Sequence, residues 1–87
     1  MTPDEALKLA QEACRGGRYC PTNHFRDRME DRKATAGDVR RAILTADRAQ
    51  RQPNGSWRLY GGQDADEVDL VPVFEIKGET LHLITIL

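Results

Sequence analysis

The chain has two cysteines and two histidines, no long apolar run, and almost no positive charge in its last third. Each shortage excludes something. Cys14 and Cys20 allow at most one disulfide, so the dense cross-linking of small secreted domains is ruled out. Whether the two thiols stay free, pair with each other or share a metal is left open by their spacing. His24 and His82 lie too far apart in sequence to complete a zinc motif with them. No apolar stretch approaches the roughly 20 residues that span a bilayer. The acidic, polar N-terminus is unlike a signal peptide, so the expectation is a cytoplasmic protein with no membrane partner. No internal repeat or low-complexity segment is present.

Length also excludes. Eighty-seven residues hold one domain, expected over 1–87, with no room for a cofactor domain beside a substrate domain. No cofactor is expected. A chain this short buries only about two-thirds of the surface its unfolded form exposes, so its margin of stability is small. An apolar fraction of 39% and a charged fraction of 31% fit a folded domain rather than a disordered tail. The net charge of −1 conceals an asymmetry. Residues 1–60 carry twelve Lys/Arg against eight Asp/Glu, while residues 61–87 carry Lys77 against six acids. The balance is therefore +4 in the first part and −5 in the second. Binding of a polyanion requires a local positive field rather than a positive total.

What is present reads as helices followed by strands. Thr2, Pro3 and Glu5 form a helix start with a capping box, and Ala6, Leu9, Ala10 and Ala13 make one apolar face. Gly16-Gly17 ends that helix. Arg18-Tyr19-Cys20 is short enough for an edge strand or an extended connector, and Pro21 bars it from a central position. Thr22 caps a second helix to about Arg32, with Phe25 and Met29 inward and His24, Arg28 and Arg32 in a neighbouring stripe. Thr35 and Asp38 open a third helix that buries Val39, Ala42, Ile43 and Ala46.

After Asp47 the period changes from that of a helix to that of a strand. Pro53-Asn54-Gly55 turns between Arg48 to Arg51 and Trp57 to Tyr60, a hairpin. Val68 to Ile76 reads as the longest strand, with Val68, Leu70, Phe74 and Ile76 on one face and Val71 and Val73 on the other. Pro72 predicts a bulge or an unpaired ladder position there. Lys77-Gly78-Glu79 reverses the chain into a last strand over Leu81 to Leu87. Both of these strands are apolar on both faces, whereas helices cover one face only. The second face therefore requires a curled sheet, the first helix on its back, or a partner. The fold class is α+β: two or three N-terminal helices packed on a twisted antiparallel sheet.

The string His24-Phe25-Arg26-Asp27-Arg28-Met29-Glu30-Asp31-Arg32, followed by Thr35 and Asp38-Val39 ahead of Ala42-Ile43, resembles a small bacterial family. Its pattern is an H-x-x-x-R-M-x-x-R helix and then an S/T-x-x-D-V helix. Gly55 to Gly61, Leu70 to Ile76 and Ile84-Thr85-Ile86 match its strands in order, so the likeness covers about residues 4–87. That family is similar to the BrnT and MqsR branches of the RelE-like toxin fold. The resemblance implies helices on a twisted antiparallel sheet. In the toxin relatives it implies cleavage of messenger RNA and inhibition by an antitoxin protein, so RNA and an antitoxin are the expected partners. Fold alone does not carry function.

Metal-free RNA cleavage requires an activated 2′-hydroxyl, a protonated leaving oxygen and neutralised phosphate charge. An imidazole can act as base or acid, and guanidiniums offer fixed forks of donors to phosphate oxygens. The expected catalytic residues are His24 as base or acid, Arg28 and Arg58 on the phosphate, and Tyr60 as proton donor or stacking platform. Arg32 and Trp57 are expected to bind substrate. Several have a plainer reading: His24 bonding a strand backbone, Arg28 and Arg32 pairing with Glu30, Asp31 or the acidic loop at 64–69, and Trp57 anchoring the hairpin; His82 reads as structural or interfacial. Two rival functions follow. One is a protein-interaction domain using the sheet face, including a homodimer through the sheet. The other is a small nucleic-acid-binding module without chemistry.

Overall fold

The computed structural model describes residues 1–87, and its first half is helical for local reasons. Helix α1 spans Pro3–Arg15, and its cap Thr2 exchanges hydrogen bonds with Glu5 in a complete capping box. Strand β1 is Tyr19–Pro21. Helix α2 spans Asn23–Asp31, with the Thr22 side chain accepting from the Phe25 N–H. Helix α3 spans Ala36–Thr45 behind a second complete box made by Thr35 and Asp38. All three caps are the residues that the sequence nominates, because a β-conformation hydroxyl ahead of free N–H groups is a local arrangement.

Four more strands follow: β2 Arg48–Arg51, β3 Trp57–Tyr60, β4 Pro72–Lys77 and β5 Thr80–Ile86. They join β1 in one five-stranded sheet of order β1-β5-β4-β3-β2. Three pairings are antiparallel, but β1 runs parallel to β5, with Cys20 opposite His82. The sheet is therefore mixed, which corrects the all-antiparallel expectation. In the chain, α2, α3 and the β2–β4 meander all lie between β1 and its partner β5.

Two details of the long strand differ from the sequence reading. It begins at Pro72, not Val68, and Val68 is 52% exposed. Proline at the first strand position has no N–H to lose from the ladder, which is where strands tolerate it. The irregularity falls one step later than Pro72: Val73 pairs with Thr85 and Phe74 with Leu83, leaving Ile84 as the extra residue on β5. The β4–β5 turn is the two-residue Gly78-Glu79, with Gly78 at φ 64°, the positive-φ first position that such hairpins favour.

One core lies between the sheet and the helices. Ala6, Ala10 and Ala13 of α1, Phe25 of α2 and Val39, Ala42 and Ile43 of α3 meet Trp57, Leu59, Phe74, Leu81, Leu83 and Ile86. The alanine face of α1 lets it lie close on the strands and on α3, and the Gln11 side chain donates to the carbonyls of Ile43 and Ala46 at 3.3 and 3.0 Å. These bonds fasten α1 to the last turn of α3, where the Ile43 carbonyl also accepts the Ala46 N–H. Gly62 sits directly on the Ala42 carbonyl, where no Cβ fits. Because every helix packs on this one side, α1 does not cover the back of the sheet. Cys14 is buried within the core and Cys20 is exposed, and both are free thiols.

Candidate nucleic-acid interface

Strand alternation defines the uncovered face. On β3, Trp57 and Leu59 point to the helices, so Arg58 and Tyr60 point away. Register extends the face across the sheet. Arg58 is opposite Val73 on one side and Gln50 on the other, Tyr60 is opposite Arg48, and Val73 is opposite Thr85. Val73 is buried yet stands apart from the helix-side core. This face is less apolar than the sequence implies. Val73 and Ile84 sit among Arg58, Glu75, His82 and Thr85.

The arginines organise around the tyrosine. Arg58 Nη1 donates to the Tyr60 hydroxyl at 3.3 Å, and the Arg48 guanidinium carbon lies 4.8 Å from the centre of the Tyr60 ring. Arg48 thus stacks over the aromatic face in a cation–π arrangement. The Nε of Arg58 is buried and has no hydrogen-bond partner, a donor that costs free energy while unsatisfied. Beside it opens a cavity of about 430 Å³ lined by Gln52, Asn54, Arg58, Val73, Ile84 and Thr85, among others. Two cations, an aromatic ring and a shallow, largely apolar groove can take the phosphates and a base of a single strand.

The other expected site residues lie elsewhere. His24 is exposed on α2, in the helical layer, and does not share a face with Arg58 and Tyr60. Arg28 and Arg32 serve β5. Past Pro21, β1 no longer pairs with β5, so beyond Leu83 the edge of β5 that faced β1 has no strand neighbour, while the other edge stays paired with β4 through Thr85 and Ile86. The Thr22 hydroxyl donates to the Ile84 carbonyl at 3.1 Å, Arg28 Nε to the Ile86 carbonyl at 3.1 Å, and Arg32 Nη1 to the Leu87 carbonyl. Arg28 also pairs with Asp31 at 3.8 Å, and Arg32 reaches the Asp69 carbonyl at 3.5 Å, contacts of the plainer kind that the sequence admitted. Trp57 is 5% exposed and opposite Phe74 in the core, so its ring is packed rather than offered to a base. The structure brings Arg58 and Tyr60 together and sets His24, Arg28, Arg32 and Trp57 apart from them.

Arg48 is the residue that sequence reasoning missed. The signal existed, because a hairpin turn at Pro53-Asn54-Gly55 places Arg48 beside Tyr60 once its register is counted. No His, Cys, Asp or Glu side chains gather in threes so as to hold a metal ion. No helix is long and apolar enough to cross a membrane.

Two carboxylates have displaced acidities, and both are structural. Asp38 is held below the usual carboxylate range by the backbone N–H of Thr35 and then that of Ala65. Glu5 is lowered by the backbone N–H of Thr2. Burial pushes the Cys14 thiol up, with Arg40 pulling the other way.

No curated protein and no solved structure matches the chain. A family pattern does match, from the cap of α2 through the whole of β5, over residues 22–87. This α+β chain of three helices on a twisted mixed sheet therefore belongs to the family described as Domain of unknown function (DUF4258).

Proposed function

We propose that this chain is a RelE/BrnT-like module that takes single-stranded RNA on the open face of its sheet. The observation that carries the reading is Tyr60 held between Arg48 and Arg58. Stacking on an aromatic ring is sequence-tolerant, and flanking guanidiniums neutralise the phosphates on either side of the stacked base. Open sheet faces suit single strands because splayed bases lie flat on them. The acidic segment is folded back on the start of α3, where the Ala65 N–H donates to Asp38, and toward Arg32. In this toxin-like reading an antitoxin protein would cover the same face, and self-association through the sheet would compete with RNA for it.

A second reading, cleavage, is favoured by one contact. Because Arg58 donates to the Tyr60 oxygen, the phenol proton is left to be handed to a leaving oxygen. Arg58 would steady the phosphate with its remaining N–H groups. His24, Arg28 and Arg32 lend no geometric support to this chemistry, so the cleavage reading stands on Arg58 and Tyr60.

The test uses a fluorescent oligoribonucleotide of mixed sequence, followed by anisotropy at low salt and then by gel for integrity. Binding by the wild type and its loss in Arg58→Ala and Arg48→Ala supports the RNA reading. No binding by the folded wild type rejects it. Tyr60→Phe keeps the ring and removes the hydroxyl. Binding retained with cleavage lost assigns Tyr60 as the proton donor, and RNA left intact by the wild type rejects cleavage.

A further inference from the structure

The groove beside Arg58 has a chemistry of its own, separate from that of the Tyr60 ring. Arg58 offers its donors in two directions. Nη1 is taken by the Tyr60 hydroxyl, whereas Nε is buried and unpartnered. In a guanidinium the N–H of Nε runs parallel to one N–H of Nη2, and together they make a side-on fork. Nη2 has no hydrogen bond within the chain either, so that fork is idle. An idle buried donor costs free energy that an arriving acceptor recovers. Asn54 adds to the surplus. Its Oδ1 accepts from the Ser56 N–H at 3.0 Å and from the Ser56 hydroxyl at 2.7 Å, which leaves its amide nitrogen with no partner in the chain. Pro53, Val73 and Ile84 give the groove apolar walls, and about 430 Å³ lies within the range of clefts that hold small organic groups. A phosphate would lose its hydration against such walls, whereas the flat face of a nucleobase loses little. Idle donors favour a base that presents acceptors, and a fork favours two side by side. Guanine presents O6 next to N7, the pair that arginine forks most often meet. Adenine has an amino donor in place of that oxygen, and uracil sets its ring N–H between its two carbonyls. Cytosine has an adjacent pair in N3 and O2, but a smaller face to cover the apolar walls.

We propose that this groove reads one guanine of the bound strand, with Nε and Nη2 of Arg58 donating to N7 and O6 and Asn54 as a further donor. The inference rests on the RNA-binding reading and adds a base preference to it. Arg58 joins the two places, because the guanidinium that meets the Tyr60 hydroxyl also lines the groove. A base stacked on the ring therefore has its neighbour in the strand beside the fork. The charge of Arg58 still attracts the strand, while its fork meets the base. Water does not reach Nε, so engagement takes a turn of the Arg58 side chain, the kind of rotamer change that is common when a partner binds.

The experiment follows the anisotropy of labelled uridine heptamers whose central base is A, C, G or U, at low salt. The guanine heptamer is expected to bind on the order of tenfold tighter than the adenine or uracil one, the discrimination of one bidentate pair. A central 7-deazaguanine removes N7 alone and should shrink that preference severalfold. A central hypoxanthine keeps O6 and N7 and should keep the preference. Both of these arms change only the RNA, so the folding of a variant does not enter. Arg58→Lys retains a charge without a fork and should bring the guanine-to-adenine ratio near one. Equal affinity for all four heptamers overturns the inference and leaves RNA binding standing. A preference for cytosine overturns it too, as does a guanine preference indifferent to 7-deazaguanine. Absence of binding by the folded protein to any heptamer rejects the RNA reading itself, and the inference with it.

Discussion

Arg58 donates from Nη1 to the Tyr60 hydroxyl at 3.3 Å, a contact between two residues on the same side of β3. It holds the ring upright on the sheet, while Arg48 closes the other side at 4.8 Å from the ring centre. The pair thus behaves as one surface with a fixed shape, and substitutions at each position should be read separately.

For RNA binding, Arg48→Ala should lower the slope of log affinity against log salt by about 0.7, the share of one phosphate contact on a single strand. Tyr60→Leu should instead weaken binding by about 1–3 kcal/mol, the cost of a lost stacking platform, with the slope unchanged. Anisotropy titrations across a salt series separate the two effects.

For stability, Arg28 should matter more than His24. Arg28→Ala strands the Ile86 carbonyl at the open edge of β5 and should cost about 1–2 kcal/mol, a figure reduced by partial exposure. His24→Ala removes an exposed side chain and should stay within about 0.5 kcal/mol. Urea unfolding with equal m values would test the ordering, and equal midpoints in the two variants would refute it.

Gly62→Ala forces a methyl group into the Ala42 carbonyl of α3. Backbone cannot step aside as a side chain does, so the loss should be about 1–3 kcal/mol or more. Gly17→Ala makes a useful comparison, because its positive φ is strained but its surroundings are open. A smaller thermal shift at Gly62 than at Gly17 would contradict this account.

The pH dependence follows from Asp38. Its folded acidity lies below the unfolded value of about 4, so its contribution is complete above that value. It disappears as pH falls through the lower folded value, when the carboxyl takes a proton and releases the Thr35 and Ala65 N–H groups. Asp38→Asn should therefore be less stable than wild type near neutrality, with the gap closing in acid below about pH 4. A gap independent of pH would point to packing instead.

Much of the fold was legible because its causes are local. Thr2, Thr22 and Thr35 were readable as caps from their positions before helical periods, and Gly78 from the two apolar runs it separates. The Arg28 stripe shows how far such reading extends. Four-residue spacing places His24, Arg28 and Arg32 along one side of a helix, but does not say what that side meets. The resemblance to a family similar to a toxin fold then favoured a phosphate, whereas that side of the helix meets the carbonyls of Ile86 and Leu87. Val68 misled for a related reason: an apolar residue two before Leu70 continues the alternation, and only Pro72 marks where hydrogen bonding starts.

The amino-acid order alone determined the three capped helices, the two tight hairpin turns, the alternation that turns Arg58 and Tyr60 to one side, and the shortage of metal ligands. Tertiary structure decided that β1 lies parallel to β5 with Cys20 in register with His82, that Arg48 closes over Tyr60, and that α2 takes two arginines to a strand edge. Caps and turns depend on neighbours a few residues away, whose geometry is fixed by bond angles and short-range hydrogen bonds. Pairing between β1 and β5 joins segments some 60 residues apart, and its free energy comes from a core that exists only once the whole chain has closed around it.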